Sequence, residues 1–182
     1  RDPNVEFQAD ERGRVAMFSS FPYDAEVAVV EVDIDIGLIK FLTFVSVHDC
    51  GNMLNPLIVE GQHIGSLAHG FGGAMYEELL YDDDGRLLSS SFKDYFVPSV
   101  MEIPDIVLDH ITTPNPFTPG GFKGAGETGT VGPPAVVASA VEDALRPFGV
   151  KIRKVPLSPS YLWSLIEQSR RLKKTSMVHP RQ

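Results

Sequence analysis

Gly124-Ala125-Gly126-Glu127-Thr128-Gly129 puts one carboxylate on a stretch of nearly bare backbone. Glycines on both sides of Glu127 let main-chain N–H groups approach a ligand and let the side chain project without steric cover. A glutamate so held suits general-base work. The same residues equally suit a tight turn carrying a solvated glutamate. The run also satisfies GxGxxG, but a dinucleotide fingerprint follows a strand directly, opens a helix at once and has an acidic residue about 20 positions on, after a second strand. Here the proline-rich segment 112–119 comes first, Pro133-Pro134 delays the helix, and Glu142 falls inside that helix. A Rossmann-type dehydrogenase is therefore rejected. A GxxxxGK[ST] phosphate loop is absent as well, because Lys123 follows Phe122.

A second chemical region is His48-Asp49-Cys50-Gly51-Asn52-Met53-Leu54-Asn55-Pro56 and the helix it opens. Asn55 followed by Pro56 reads as a side-chain cap and then a proline at the first helical position. That helix is predicted to run to about Leu80 and carries glycine at 61, 65, 70, 72 and 73. Each glycine costs ~1 kcal/mol relative to alanine. At ~100° per residue, Gly61, Gly65 and Gly72 form one bare stripe, with Gln62, Ser66, His69 and Gly73 beside it. Tight helix packing explains the pattern; so does a helix laid against a large polar ligand, with Gln62 offering amide donors and an acceptor.

The elements that must position these residues read as one α+β unit over 1–169, of mixed sheet hairpins with packed helices, followed by a polar tail over 170–182. Alternation of Ala28, Val30, Val32, Ile34 and Ile36 with Val27, Val29, Glu31, Asp33 and Asp35 predicts a strand with one apolar face. Gly37 turns the chain into a second strand over 39–47. Asp82 to Gly85 reads as a turn, 86–96 as a strand ended by Pro98, and 106–111 as another strand. Val136, Val137, Ala140, Val141, Ala144 and Leu145 outline an amphipathic helix after Pro133-Pro134. A last strand over 150–155 and a short helix capped by Ser158-Pro159 complete the reading.

Composition removes several function classes. Hydrophobic residues make up 43% of 182 and charged residues 22%, which is globular. Sixteen Lys and Arg against 24 Asp and Glu give a formal charge of -8, the wrong sign for a nucleic-acid partner. The most apolar stretch, 27–47, is broken by Glu31, Asp33, Asp35 and Lys40, so no membrane span is expected. Cys50 is the single cysteine, which excludes an internal disulfide, a zinc quartet and the four thiolates of an iron–sulfur cluster. A reducing, cytoplasmic compartment is the expectation. The chain begins Arg1-Asp2-Pro3 without a basic-then-apolar leader or an initiator Met, which reads as a processed or cleaved chain.

The stretch from His48 to Gly65, including Asn55-Pro56 and Val59-Glu60-Gly61-Gln62, resembles the cofactor-contacting stretch of the xanthine dehydrogenase and aldehyde oxidase family, in its molybdenum hydroxylase large subunit. Thr113 to Pro119 followed by Lys123 to Gly129 resembles that family's active-site loop, in the version of its prokaryotic carbon monoxide dehydrogenase-like branch. The resemblance covers residues 20–166 and implies the C-terminal part of a molybdopterin-binding domain. It implies that Glu127 is the base beside molybdenum, taking a proton as oxygen from water is delivered to an aldehyde, N-heteroaromatic or similar electron-poor carbon. Gln62 would contact the pterin or its dinucleotide, Asp49, Cys50 and Asn55 would lie in the cofactor loop, and Gly124, Ala125 and Gly126 would bring backbone against the site. No side chain here would ligate the metal, which the pterin dithiolene holds; His63 and His69 read as polar helix residues. The implied cofactor is molybdopterin, in its cytosine dinucleotide form, with molybdenum. Iron–sulfur clusters, and often FAD, would sit on partner subunits. The family's large subunit is several times longer, so a longer chain is expected to complete the active site. The other reading is a non-catalytic assembly or cofactor-binding module of the same fold.

Overall fold

The computed structural model describes residues 8–15, 18 and 20–178, with side chains as far as Lys173. The reading of the first residues as leaderless, and the last four residues of the polar tail, lie outside the described residues. The order of elements is β1 (Tyr23–Asp33), β2 (Leu38–Asp49), α1 (Pro56–Met75), β3 (Ile106–His110), α2 (Gly132–Ala144) and α3 (Pro159–Val178). The fold is α+β, as expected: a mixed three-stranded sheet in the order β1-β2-β3 with helices packed on it.

The predicted hairpin is present. β1 and β2 pair antiparallel from Tyr23↔Asp49 to Asp33↔Leu38, with a bulge between Val29 and Val30. Its turn is fixed by Asp33, whose carboxylate accepts from the Asp35 N–H at 2.9 Å. β3 joins the other edge of β2 in parallel, from Phe44↔Ile106 to His48↔His110. Alternation along β2 sends Phe44, Ser46 and His48 inward beneath the helices. Phe44 meets Phe71 of α1 edge-on, with centroids 4.7 Å apart. Leu67 and Ala74 of α1, Val137 and Val141 of α2, and Leu162 and Ile166 of α3 complete the core. The opposite sheet face stays apolar and uncovered at Val27, Val29 and Val107.

Asn55 caps α1 as read from the sequence, its side chain accepting from the Ile58 N–H at 3.3 Å. Gly70 answers part of the glycine question, because a Cβ there would stand 2.7 Å from the Pro133 ring; its absence lets α2 start against α1. Gly61 and Gly65 have no atom within 4 Å of a would-be Cβ, whereas Gly72 is buried against the Glu77 side chain.

Four boundaries differ from the sequence reading. α1 stops at Met75, where the Tyr76 and Glu77 N–H groups both turn back to the Gly72 carbonyl. Residues 86–96 form no strand: the stretch folds back on 80–82, with a bridge from Leu87 to Tyr81 and the Leu88 N–H on the Leu80 carbonyl, and then turns at Ser91. Residues 150–155 form none either, their amides being met by side chains, Ile152 by Glu142 at 3.0 Å and Arg153 by Tyr161 at 3.4 Å. α3 continues through the expected tail to Val178.

Candidate cofactor and active-site cleft

The two loops singled out from the sequence, some 70 residues apart, are zipped together. The Lys123 N–H donates to the Cys50 carbonyl at 2.8 Å, the Asn52 N–H to Gly121 at 3.2 Å, and the Asn52 side-chain amide to Gly120 at 2.7 Å. Gly51 makes the approach possible, because it adopts φ of 70° and a Cβ there would collide with the Gly121 carbonyl.

Asp49 secures the zip from beneath. Its side chain is 2% exposed and meets Lys123 Nζ at 3.0 Å, itself only 6% exposed. The other carboxylate oxygen accepts from the Gly51 N–H at 2.8 Å and from the Thr113 N–H at 3.2 Å. Burial alone would raise this carboxyl; the hydrogen bonds from Gly51, Thr113 and Lys123 overcome it and hold Asp49 well below the usual carboxylate range. A second anchor sits on α1, where Ser66 Oγ donates to the His63 carbonyl at 2.8 Å and accepts from the Gly129 N–H at 3.0 Å. Ser66 was grouped with the ligand-facing stripe; it is buried and serves the loop instead.

Held at both ends, Gly124 to Thr128 forms one wall of an open cleft of about 770 Å³, with Asp24 and Glu26 of β1 and the start of α2 as the other walls. Glu127 is exposed in that cleft, and its carboxylate has no hydrogen-bond or ion-pair partner among the described residues. Gln62 is exposed on α1 beside the loop: a Cβ on Gly126 would stand 3.6 Å from its Nε2. Gln62, Gly124, Ala125, Gly126 and Glu127 therefore share one edge of the molecule. Asp49, Cys50 and Asn55 do not offer free side chains to it. Asp49 is spent on Lys123, Cys50 is buried at 2% exposure, and Asn55 is the helix cap.

Behind the cleft lies a polar cluster whose role the sequence reading missed. Ser46 Oγ donates to Asp24 at 2.8 Å, so it accepts from His63 Nε2 at 2.7 Å, which fixes the proton on that nitrogen. The His63 ring stacks on His48 with centroids 4.2 Å apart, and His48 meets His110 at 4.8 Å. Burial, reinforced by the neighbouring imidazole, holds both His48 and His63 below their ordinary range. Burial first, and then the Asp24 charge, push Glu26 up to about 8. Both Glu26 oxygens and Asp24 Oδ2 lack hydrogen-bond partners, although Asp24 Oδ2 lies 3.5 Å from His63 Nε2. The signal was available: Asp24 and Glu26 fall in the buried phase of β1 with Ala28 and Val30, and His63 precedes Leu67 and Phe71 by one and two helical turns.

Residues 4–104 match the family model for the molybdopterin cofactor-binding domain. The chain is 39% identical over 158 residues to the nicotine 6-hydroxylase large subunit of Paenarthrobacter nicotinovorans, covering 87% of this chain and 19% of that one. It superposes on carbon monoxide dehydrogenase from Oligotropha carboxidovorans with a TM-score of 0.78 at 36% identity, over 83% of this chain and 19% of the other. Quinoline 2-oxidoreductase from Pseudomonas putida 86 aligns with a TM-score of 0.74 at 41% identity, over 78% and 18%. The chain thus spans about a fifth of the length of these relatives. With the family model matching more than half of its residues, the chain belongs to the molybdopterin cofactor-binding domain family.

Proposed function

We propose that this chain is a catalytic component of a molybdenum hydroxylase, with Glu127 as its general base. The observation that carries the reading is the unpartnered Glu127 carboxylate, exposed in a cleft on a loop anchored at Asp49–Lys123 and at Ser66. A base must be free of competing partners and carried on a positioned loop, and the free Glu127 carboxylate on a loop anchored at Lys123 and Gly129 supports that role.

The residues fit the implied cofactor. Gln62 projects next to Gly124 and Gly126, and no atom lies within 4 Å of a would-be Cβ on Gly61, Gly65 or Gly124, which leaves room for a flat polar ligand. When bound, the molybdopterin with its molybdenum would supply the two-electron redox chemistry. Gln62 would then hydrogen-bond the pterin or its dinucleotide with its amide, and the 124–126 backbone would lie against it. The Glu127 carboxylate would accept the proton given up by water when its oxygen is delivered to an aldehyde, N-heteroaromatic or similarly electron-poor carbon. Asp49, Cys50 and Asn55 act on the cofactor through the loop they shape. The relatives named as nicotine and quinoline oxidising enzymes support the hydroxylase class.

The proposed cofactor is the cytosine dinucleotide form, and the electrons leave through iron–sulfur clusters and a flavin on partner subunits. With one wall of the cleft open and the sheet face at Val27, Val29 and Val107 uncovered, a longer molybdopterin-binding stretch is needed to close the site. A reducing, cytoplasmic setting agrees with one free, buried cysteine. The test is Glu127→Gln in the assembled enzyme. Turnover is expected to fall by ~100-fold or more at unchanged molybdenum content. Turnover within a few-fold of wild type would assign the chain to an assembly or cofactor-holding role instead.

A further inference from the structure

Behind the cleft, three potential ligand atoms converge without a task. His48 and Cys50 sit two positions apart at the end of β2, each 2% exposed, and His110 is the register partner of His48 on β3. One nitrogen of each ring and the Cys50 sulfur all lie within 4.8 Å of one another. Neither nitrogen of His48 nor Nδ1 of His110 has a hydrogen-bond partner, although each is sealed from solvent. Leaving polar atoms unmet at such depth is costly, and a bound ion would engage one nitrogen of each ring.

We propose that His48, Cys50 and His110 form a site for a borderline-soft cation of the Zn(II) class. Two imidazoles and one thiolate are the donor set that selects such an ion over hard cations, which require oxygen. Bonds of ~2.1 Å to nitrogen and ~2.3 Å to sulfur need ligand atoms ~3.5–3.8 Å apart. The present triangle reaches that by closing its longest side by about 1 Å through side-chain rotation. Thr112 already orients one ligand, its hydroxyl lying 3.1 Å from His110 Nε2 and leaving Nδ1 for the ion. Asp24, paired with His48 across the sheet, supplies negative charge to offset a divalent ion bound by a single thiolate.

The probe is Co(II), followed by Zn(II) competition, on the purified full chain stripped of metals and without pterin. One equivalent of cobalt is expected to bind, with thiolate-to-cobalt charge transfer in the near ultraviolet and the intense visible bands of a four-coordinate ion. Zn(II) should bleach both. Cys50→Ser and His110→Ala should abolish the charge-transfer band or the stoichiometric binding, and Thr112→Val should weaken Zn(II) by ~10-fold or more. His69→Ala, on the exposed side of α1, should change nothing. Folding of each variant is checked by its circular dichroism. Absence of stoichiometric cobalt in the wild-type chain overturns the site without recourse to any variant, and so does unchanged Zn(II) affinity in Cys50→Ser. Because loading is read without pterin, either result leaves the Glu127 assignment untouched.

Discussion

Two buried polar regions flank the end of β2, and they are built on opposite terms. On one side Asp49 is fully met: Lys123 faces one oxygen, and the Gly51 and Thr113 N–H groups face the other. On the other side Asp24, Glu26, His48, His63 and His110 hold seven side-chain atoms without hydrogen-bond partners. The first region costs little to bury because each lone pair it hides is used, and it fixes a loop. The second carries a standing penalty next to a cleft. Stability is stored where charges are matched, and chemical capacity where they are not.

Breaking the matched side should have the largest effect. Lys123→Met leaves the Asp49 carboxylate buried without its cation, and a loss of about 3 kcal/mol is expected by urea denaturation. Removing the second anchor is the next step down. Ser66→Ala strands the buried Gly129 N–H, and about 2 kcal/mol should be lost, with turnover of the assembled enzyme falling as Glu127 loses its fixed position. The unmatched side should respond in the opposite sense. Glu26 has a folded pKa of about 8 against an ordinary 4.5, so the folded state holds the extra proton between those values. Stability tied to this group is complete below pH 4.5 and is lost as pH rises through 8. Glu26→Gln should thus match wild type near pH 4.5 and exceed it by about 1 kcal/mol at pH 9, the group being only partly shielded from water. A variant as unstable as Lys123→Met would show that Glu26 is matched after all.

The contrast also explains what could be read from the chain beforehand. The hairpin was legible because alternation over 27–47 specifies both strands and Gly37 specifies the turn. The start of α1 was legible because Asn55-Pro56 acts locally. Residues 86–96 were not: Leu87, Leu88, Phe92 and Phe96 have strand-like chemistry, but the stretch pairs back on 80–82 and turns at Ser91 instead of joining the sheet. At the site, glycine density and polar spacing singled out Gln62 and the 124–127 loop, and the fold brings them to one edge of the molecule. The buried pairing of Asp49, read as part of the cofactor loop, was not legible, since its Lys123 partner is 74 positions away and only the fold unites them. The histidine cluster escaped for the same reason, being assembled from two strands and a helix.

Strand β2 sorts its last residues by parity, with Phe44, Ser46 and His48 beneath the helices and Asp49, equally buried, turned the other way to Lys123. Deleting or inserting a single residue in 44–47 would therefore do more than shorten a strand. It would turn the ribbon over, driving the carboxylate under the helices where no lysine waits and swinging the imidazole out to the loop. The spacing between Phe44 and His48 thus sets the packing around the cleft, although Val45, Ser46 and Val47 do not line it.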